Sequence, residues 1–246
     1  MKRHSNFVTL AAIFVAVSTL VYFIHYLIFR NPHHIFIFMV GDLAFVFLEV
    51  FLVILVIERV LARRAKRAML HKLNMITGAF FSEVGNQLLR KLLGCFERRK
   101  EISQQLALAQ DWSRTDFKKA TAFARGLKGT PQCGNIDLDE LRTFLVRKRP
   151  FLLRLLENPN VLEHEGFSDL LWAVFHLAEE LEARESLGNL PQSDLEHIGV
   201  DIQRVYGHLA AEWVAYMEHL KSDYPFLFSL TVRTHPFREH PSPVVL

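Results

Sequence analysis

Residues 7–29, FVTLAAIFVAVSTLVYFIHYLIF, and residues 35–57, IFIFMVGDLAFVFLEVFLVILVI, are two apolar runs of equal length separated only by RNPHH. At ~1.5 Å of rise per residue, each run is long enough as a helix to cross a ~30 Å hydrocarbon core. Asn31-Pro32 stops one helix and starts the next. Residues 1–62 are therefore expected to form a two-helix transmembrane hairpin. The first run is too long for the ~7–15-residue core of a signal peptide, and no small-x-small cleavage site follows it. It is expected to stay as an uncleaved anchor.

Basic residues set the expected orientation. Lys2 and Arg3 precede the first span, and Arg59, Arg63, Arg64, Lys66, Arg67 and Lys72 follow the second, whereas the connecting turn holds only Arg30. Both termini are expected on the cytoplasmic side of a bacterial-type inner membrane. The turn leaves no room for a domain outside, which excludes a receptor that binds its ligand there.

The net charge of +3 hides an asymmetry. Residues 1–72 carry nine Lys or Arg against three Asp or Glu, and residues 73–246 carry twenty against twenty-three. The basic excess, with Arg59, Arg63, Arg64, Lys66 and Arg67 as a membrane-proximal collar, suits anionic headgroups. The remainder lacks the basic excess that nucleic-acid binding requires, so membrane lipids are expected as partners and nucleic acid is not. Cys95 and Cys133 form no CxxC and are expected to be free thiols.

From residue 58 onward apolar residues recur at three and four, with turn signals spaced for helices, so the expected fold class is all-α. Residues 63–99 are expected to continue the second span as a basic stalk helix, with Leu73, Ile76, Phe80, Val84, Leu88, Leu92 and Cys95 along one side. That seam suits either pairing with a second copy or docking on the helices that follow. Residues 100–230 are expected to form a cytoplasmic multi-helix domain. Within it, Asp137 with Glu140 and Ser193 with Glu196 are capping signals, and Pro150 is expected to interrupt a helix. The last long helix is expected over 193–222. Residues 231–246, rich in proline and charge without an apolar period, are expected to be a flexible or draped tail.

His197, His208 and His219 each precede an acid by four residues, at Asp201, Glu212 and Asp223, and His176 with Glu180 repeats the spacing. Helical His and carboxylate pairs one turn apart are how bundles hold metals. Wheel geometry places these histidines on the flanks of their helices rather than on the core faces, which favours solvated i, i+4 pairs. No metal or other cofactor is expected, with His176, Glu180, His208 and Glu212 as the surface candidates should one bind. Nucleotide-binding, metalloprotease, serine-hydrolase and potassium-filter motifs are absent from the sequence.

Two carboxylates stand inside the second span. Asp42 and Glu49, seven residues apart, share a helix face with Val46, Val53, Val56 and Val60, opposite Phe47 and Phe51. Folding the hairpin at Pro32 puts Asp42 near Tyr22 and His25. A hydrogen bond there would offset a cost of about 2.5–3.5 kcal/mol for a charge at mid-membrane. Glu49 lies deeper, with Ser18 or Thr19 within reach at best. The face Asp42, Glu49, Tyr22, His25, Ser18 and Thr19 is thus the intramembrane candidate site. The leading expectation is a non-enzymatic, homo-oligomerising membrane protein whose helical domain is a scaffold or sensor for a protein partner. The alternatives are a channel or proton-conducting assembly lined by Asp42 and Glu49, and a membrane-anchored metal-dependent enzyme.

Overall fold

A computed structural model describes residues 2–127, 129 and 131–245, with side chains except at 2–11, 34, 66–68, 71 and 135. Among the described residues there are helices and turns and no strand. In order these are α1 (Lys2–Phe29), α2 (Pro32–Phe80), a π turn (Phe81–Gly85), α3 (Asn86–Leu93), α4 (Arg99–Leu106), α5 (Arg114–Arg125) and a 3-10 turn (Cys133–Asn135). They are followed by α6 (Leu138–Leu156), α7 (Pro159–Leu162), α8 (Glu165–Glu182), α9 (Gln192–Asp223) and α10 (Pro225–Thr234). The chain divides into two compact units, Met1–Lys66 and Arg67–Leu246. Residues 63–99, expected as a stalk of their own, are thus split between them.

The first unit is α1 and the opening of α2. Ala12–Phe29 and Ile35–Ala65 are helical, long and apolar enough to cross a membrane, and no part of either window is buried by protein. The turn between the helices is tighter than RNPHH. Only Arg30 and Asn31 leave helix, because Pro32 has no N–H to satisfy and fits the first helical position. Arg30 takes a left-handed φ of 48° while its N–H donates to the Tyr26 carbonyl at 2.8 Å. A side chain with a Cβ holds that conformation at a cost of about 1–2 kcal/mol.

The second unit is organised on α9, against which α3, α5, α8, α10 and both short turns pack. α2 enters its core from Leu73, so the expected seam docks on later helices: Leu73, Phe80, Val84, Leu88, Leu92 and Cys95 are all buried. The π turn adds a residue to one helical turn, and both Phe80 and Phe81 point inward, although neighbours on a regular helix diverge. Phe80 meets Phe167 edge-on at 5.4 Å, and Phe81 stacks on Tyr216 at 5.7 Å. Gly78 permits the approach of α2 to α9: a Cβ there would stand 2.6 Å from the Tyr216 hydroxyl. Trp213, fully buried, donates its indole N–H to Asn86 Oδ1 at 3.1 Å.

Local signals end the helices as capping chemistry requires, with three departures. Asp137 accepts the Glu140 N–H at 2.9 Å, and Ser113 with Asp116 forms a full capping box. Ser193 does not cap α9, which begins at Gln192 after Pro191, so that Ser193 already lies inside the first turn. Pro150 does not interrupt α6, which runs through it. The carbonyl deprived of its donor belongs to Val146, which lies on the exposed side of the helix. The third departure is the tail: residues 231–234 complete α10, and His235 and Phe237 are buried, Phe237 edge-on to Trp213 at 4.9 Å.

Burial pushes His235 down to about 4, and the Arg238 and Arg90 guanidiniums add to the effect. The folded chain therefore refuses a proton that the unfolded chain takes up near pH 6.5. The stabilisation is complete above that value and is lost as pH falls toward 4. Thermal melts should show a declining midpoint across this window, and His235→Leu should flatten the decline.

Candidate functional site

In the first unit, Ser18, Thr19, Tyr22, Asp42 and Glu49 are exposed and His25 is half-buried. The geometry does not join them. Thr19 Oγ1 donates to its own helix at the Val15 carbonyl, 2.9 Å away, and His25 packs against Phe29 with ring centroids 4.6 Å apart. Among the described residues, neither Asp42 nor Glu49 makes a hydrogen bond or ion pair, so the expected bond from Tyr22 or His25 to Asp42 is not formed. The hydroxyl of Thr19 is spent on the backbone because that acceptor is one turn away on the same helix. Of the collar, Arg59, Arg63 and Arg64 are exposed on α2, and the side chains of Lys66 and Arg67 lie outside the described residues.

The second unit brings together groups that the sequence separates. Helices α8 and α9 run side by side after a short loop, and their flanks meet along a line of polar residues. Asp201 is buried there, its side chain 3% exposed. Its Oδ1 accepts from Arg204 at 2.6 Å. Its Oδ2 faces His176 Nε2 at 3.4 Å and His197 Nε2 at 3.6 Å, yet accepts no hydrogen bond from any described residue. Glu180 completes the group, with Oε1 3.9 Å from His176 Nε2 and Oε2 3.6 Å from His197 Nε2. The ligating atoms of His176, Glu180 and Asp201 all lie within 4.8 Å of one another.

Arginines hold the outer oxygens of this cluster. Arg184 donates to Glu180 Oε2 at 2.8 Å and forks onto Asp194 at 2.8 and 2.6 Å, joining the end of α8 to the start of α9. The Arg184 hydrogen bonds hold both carboxyls below the usual range. His176 and His197 are exposed and each makes its i, i+4 couple, but the two couples face each other and Asp201 is buried between the helices. A flank is solvated only where no neighbour covers it, and here α8 covers the flank of α9 that carries Asp201.

His208 and Glu212 do not join the cluster. They line a cavity of about 640 Å³ with Arg125, Asp169 and Arg204. Burial raises the Glu212 carboxyl, a shift opposed by His164 and Arg125. His164 itself caps α8, its Nδ1 accepting the Phe167 N–H at 3.2 Å. His219 pairs with Asp223 at 2.6 Å as an i, i+4 couple. Cys133 is buried beside Gly199, and burial pushes its thiol up to about 11; Cys95 rises to about 12 for the same reason. Neither is a thiolate at neutral pH.

The cluster and the apolar helices both fall within segments that recur in another protein. Residues 2–61 match the family model described as MJ1433, N-terminal helical domain, and residues 69–233 match Uncharacterized protein MJ1433, C-terminal helical domain. The chain belongs to the MJ1433 family. It is 43% identical over 236 residues to the Uncharacterized protein MJ1433 of Methanocaldococcus jannaschii, covering 96% of this chain and 94% of that one. No solved structure matches it. His176, Glu180, His197 and Asp201 all lie inside the C-terminal helical domain of the family.

The sequence displays His176 with Glu180 and His197 with Asp201 as separate couples, and of the surface candidates His176, Glu180, His208 and Glu212 only the first two belong to the cluster. The missed signal is the register of an antiparallel pair. With a short loop between α8 and α9, residues late in the first helix face residues early in the second. Arg184 tests the joint. Arg184→Leu should lower the melting temperature clearly, whereas Arg98→Leu, which removes the exposed pair to Glu101, should leave it nearly unchanged.

Proposed function

We propose that this chain is an integral protein of the cell inner membrane that crosses it twice, with both termini cytoplasmic, and presents its helical domain as a non-enzymatic scaffold or sensor. The observation that carries this is a division of apolar surface. Ala12–Phe29 and Ile35–Ala65 bury none of their apolar side chains and leave most exposed, while residues 67–246 close a core of their own. Apolar surface of that extent on a helix of membrane-spanning length is stable in lipid and unstable in water. Lys2, Arg3, Arg59, Arg63 and Arg64 flank the spans on one side against Arg30 on the other, which supports the orientation.

Asp42 and Glu49 support homo-oligomerisation. Each sits on an apolar helix without a partner among the described residues, and a second hairpin bringing the same face alongside would supply one. The same observation favours a second reading, a proton-conducting assembly lined by these two residues. In the domain, Leu162, Trp172 and Phe226 are large apolar side chains left mostly exposed, and they are what a protein partner would meet.

Thiol labelling tests the topology, because Cys95 and Cys133 are buried. With a membrane-impermeant reagent on sealed cells, Asn31→Cys should be labelled from outside. Ser186→Cys, exposed in the loop after α8, should be labelled only after the membrane is opened. Labelling of both positions, or of neither, in sealed cells would overturn the two-span arrangement.

A further inference from the structure

The placement of His176, Glu180, His197 and Asp201 goes beyond a membrane anchor and a scaffold. We propose that these four side chains bind a divalent first-row transition-metal ion between α8 and α9, with His176, Glu180 and Asp201 as the core ligands and His197 as the fourth.

Spacing is the first support. A tetrahedral ion with ligands at about 2.0–2.1 Å separates its donor atoms by about 3.3–3.4 Å. His176 Nε2 lies 3.4 Å from Asp201 Oδ2 and 3.9 Å from Glu180 Oε1, and His197 Nε2 lies 3.6 Å from Asp201 Oδ2. Small side-chain rotations close that difference, and both histidines have the room: His176 is 46% exposed and His197 is 54% exposed.

The second support is independent of spacing. Asp201 Oδ2 is buried and accepts no hydrogen bond from a described residue, although two imidazoles stand within 3.6 Å. Had the cluster been built as ordinary His to Asp pairs, that oxygen would be the natural acceptor. A buried carboxylate oxygen left without a donor is costly, and a cation removes the cost.

Orientation is the third. Each carboxylate gives one oxygen to an arginine, Asp201 Oδ1 to Arg204 and Glu180 Oε2 to Arg184, which leaves Asp201 Oδ2 facing both histidines and Glu180 Oε1 facing His176. Outer hydrogen bonds of this kind orient ligands in metal sites. Two imidazoles with two carboxylates suit Zn²⁺ and Fe²⁺ better than Mg²⁺ or Ca²⁺, which take oxygen almost alone. The exposed rim at His176 and His197 makes the ion exchangeable, and its loading would clamp α8 to α9. Binding is independent of the scaffold reading, since it is measured with no partner present.

The test uses the full chain, free of any histidine tag, in lipid nanodiscs and stripped with a chelator. Titration with Zn²⁺ alone should show one ion bound per chain and a raised melting temperature. Co²⁺ in its place should give the visible absorption of a tetrahedral nitrogen and oxygen site. Replacing a partner that only orients a ligand weakens metal sites by about 10–100-fold, so His176→Gln and Asp201→Asn, which remove ligands, should weaken binding by at least about 100-fold. His197→Gln should weaken it by about tenfold, and His208→Ala and His219→Ala should bind as the parent does. His176 is half exposed, so His176→Gln preserves the fold even if Asp201→Asn does not. No stoichiometric binding by the parent, undiminished binding by His176→Gln, or equal loss in His208→Ala would overturn the proposal.

Discussion

The 32 residues of α9, Gln192–Asp223, have to lose water on several sides at once, and the second unit takes its form from how that is done. Ile198, Ile202, Val205, Tyr206, Leu209, Trp213 and Val214 are all fully buried, which one neighbouring helix could not achieve. α5 and α8 cover two sides, α10 and α3 cover further stretches, and the α2 helix with its π turn is drawn in at Tyr216. Small residues allow the closest approaches: Gly199 sits against the Pro131 carbonyl, and Ala210 and Ala211 are buried. Covering so much of one helix also buries polar residues that a helical wheel would leave in water. Asp201 is the consequence.

Much of this was legible in the sequence, because helical period survives without knowledge of partners. The two long apolar runs, the all-helical class, the last long helix within a residue or two of its bounds, and the cap at Asp137 all rest on local chemistry. The failures are also physical. Pro150 was expected to break α6, but a lost backbone donor on an exposed side is made good by water. Ser193 resembles a cap until Pro191 fixes the start of α9 two residues earlier. The tail holds too few apolar residues to show a period, yet Phe237 finds Trp213 and anchors it.

The candidate cluster was half legible. The i, i+4 spacing of His176 with Glu180 and of His197 with Asp201 is a property of one helix each, and a sequence displays it. That the two couples face each other depends on the pairing of α8 with α9 and on its register, which a wheel drawn for one helix cannot contain. The expected contacts to Asp42 are not made for a related reason. The approach of Tyr22 and His25 to Asp42 was inferred from depth alone, and equal depth does not bring two side chains into contact. The arginines matter here as well: Arg184 and Arg204 each pair with one carboxylate oxygen of the cluster and supply positive charge beside it.

Apolar side chains meet two different fates along α2. Up to residue 65 none of its described apolar side chains is buried; from Leu73 onward they join a core. Whether lipid covers the first part decides how such a helix is stable. Hydrogen–deuterium exchange of the full chain in lipid nanodiscs tests it most directly. In a lipid environment the amides of residues 12–29 and 35–57 should exchange as slowly as those of α9, although none of these residues is buried by protein. Exchange of those residues within minutes, as in a helix bathed by water, would contradict it.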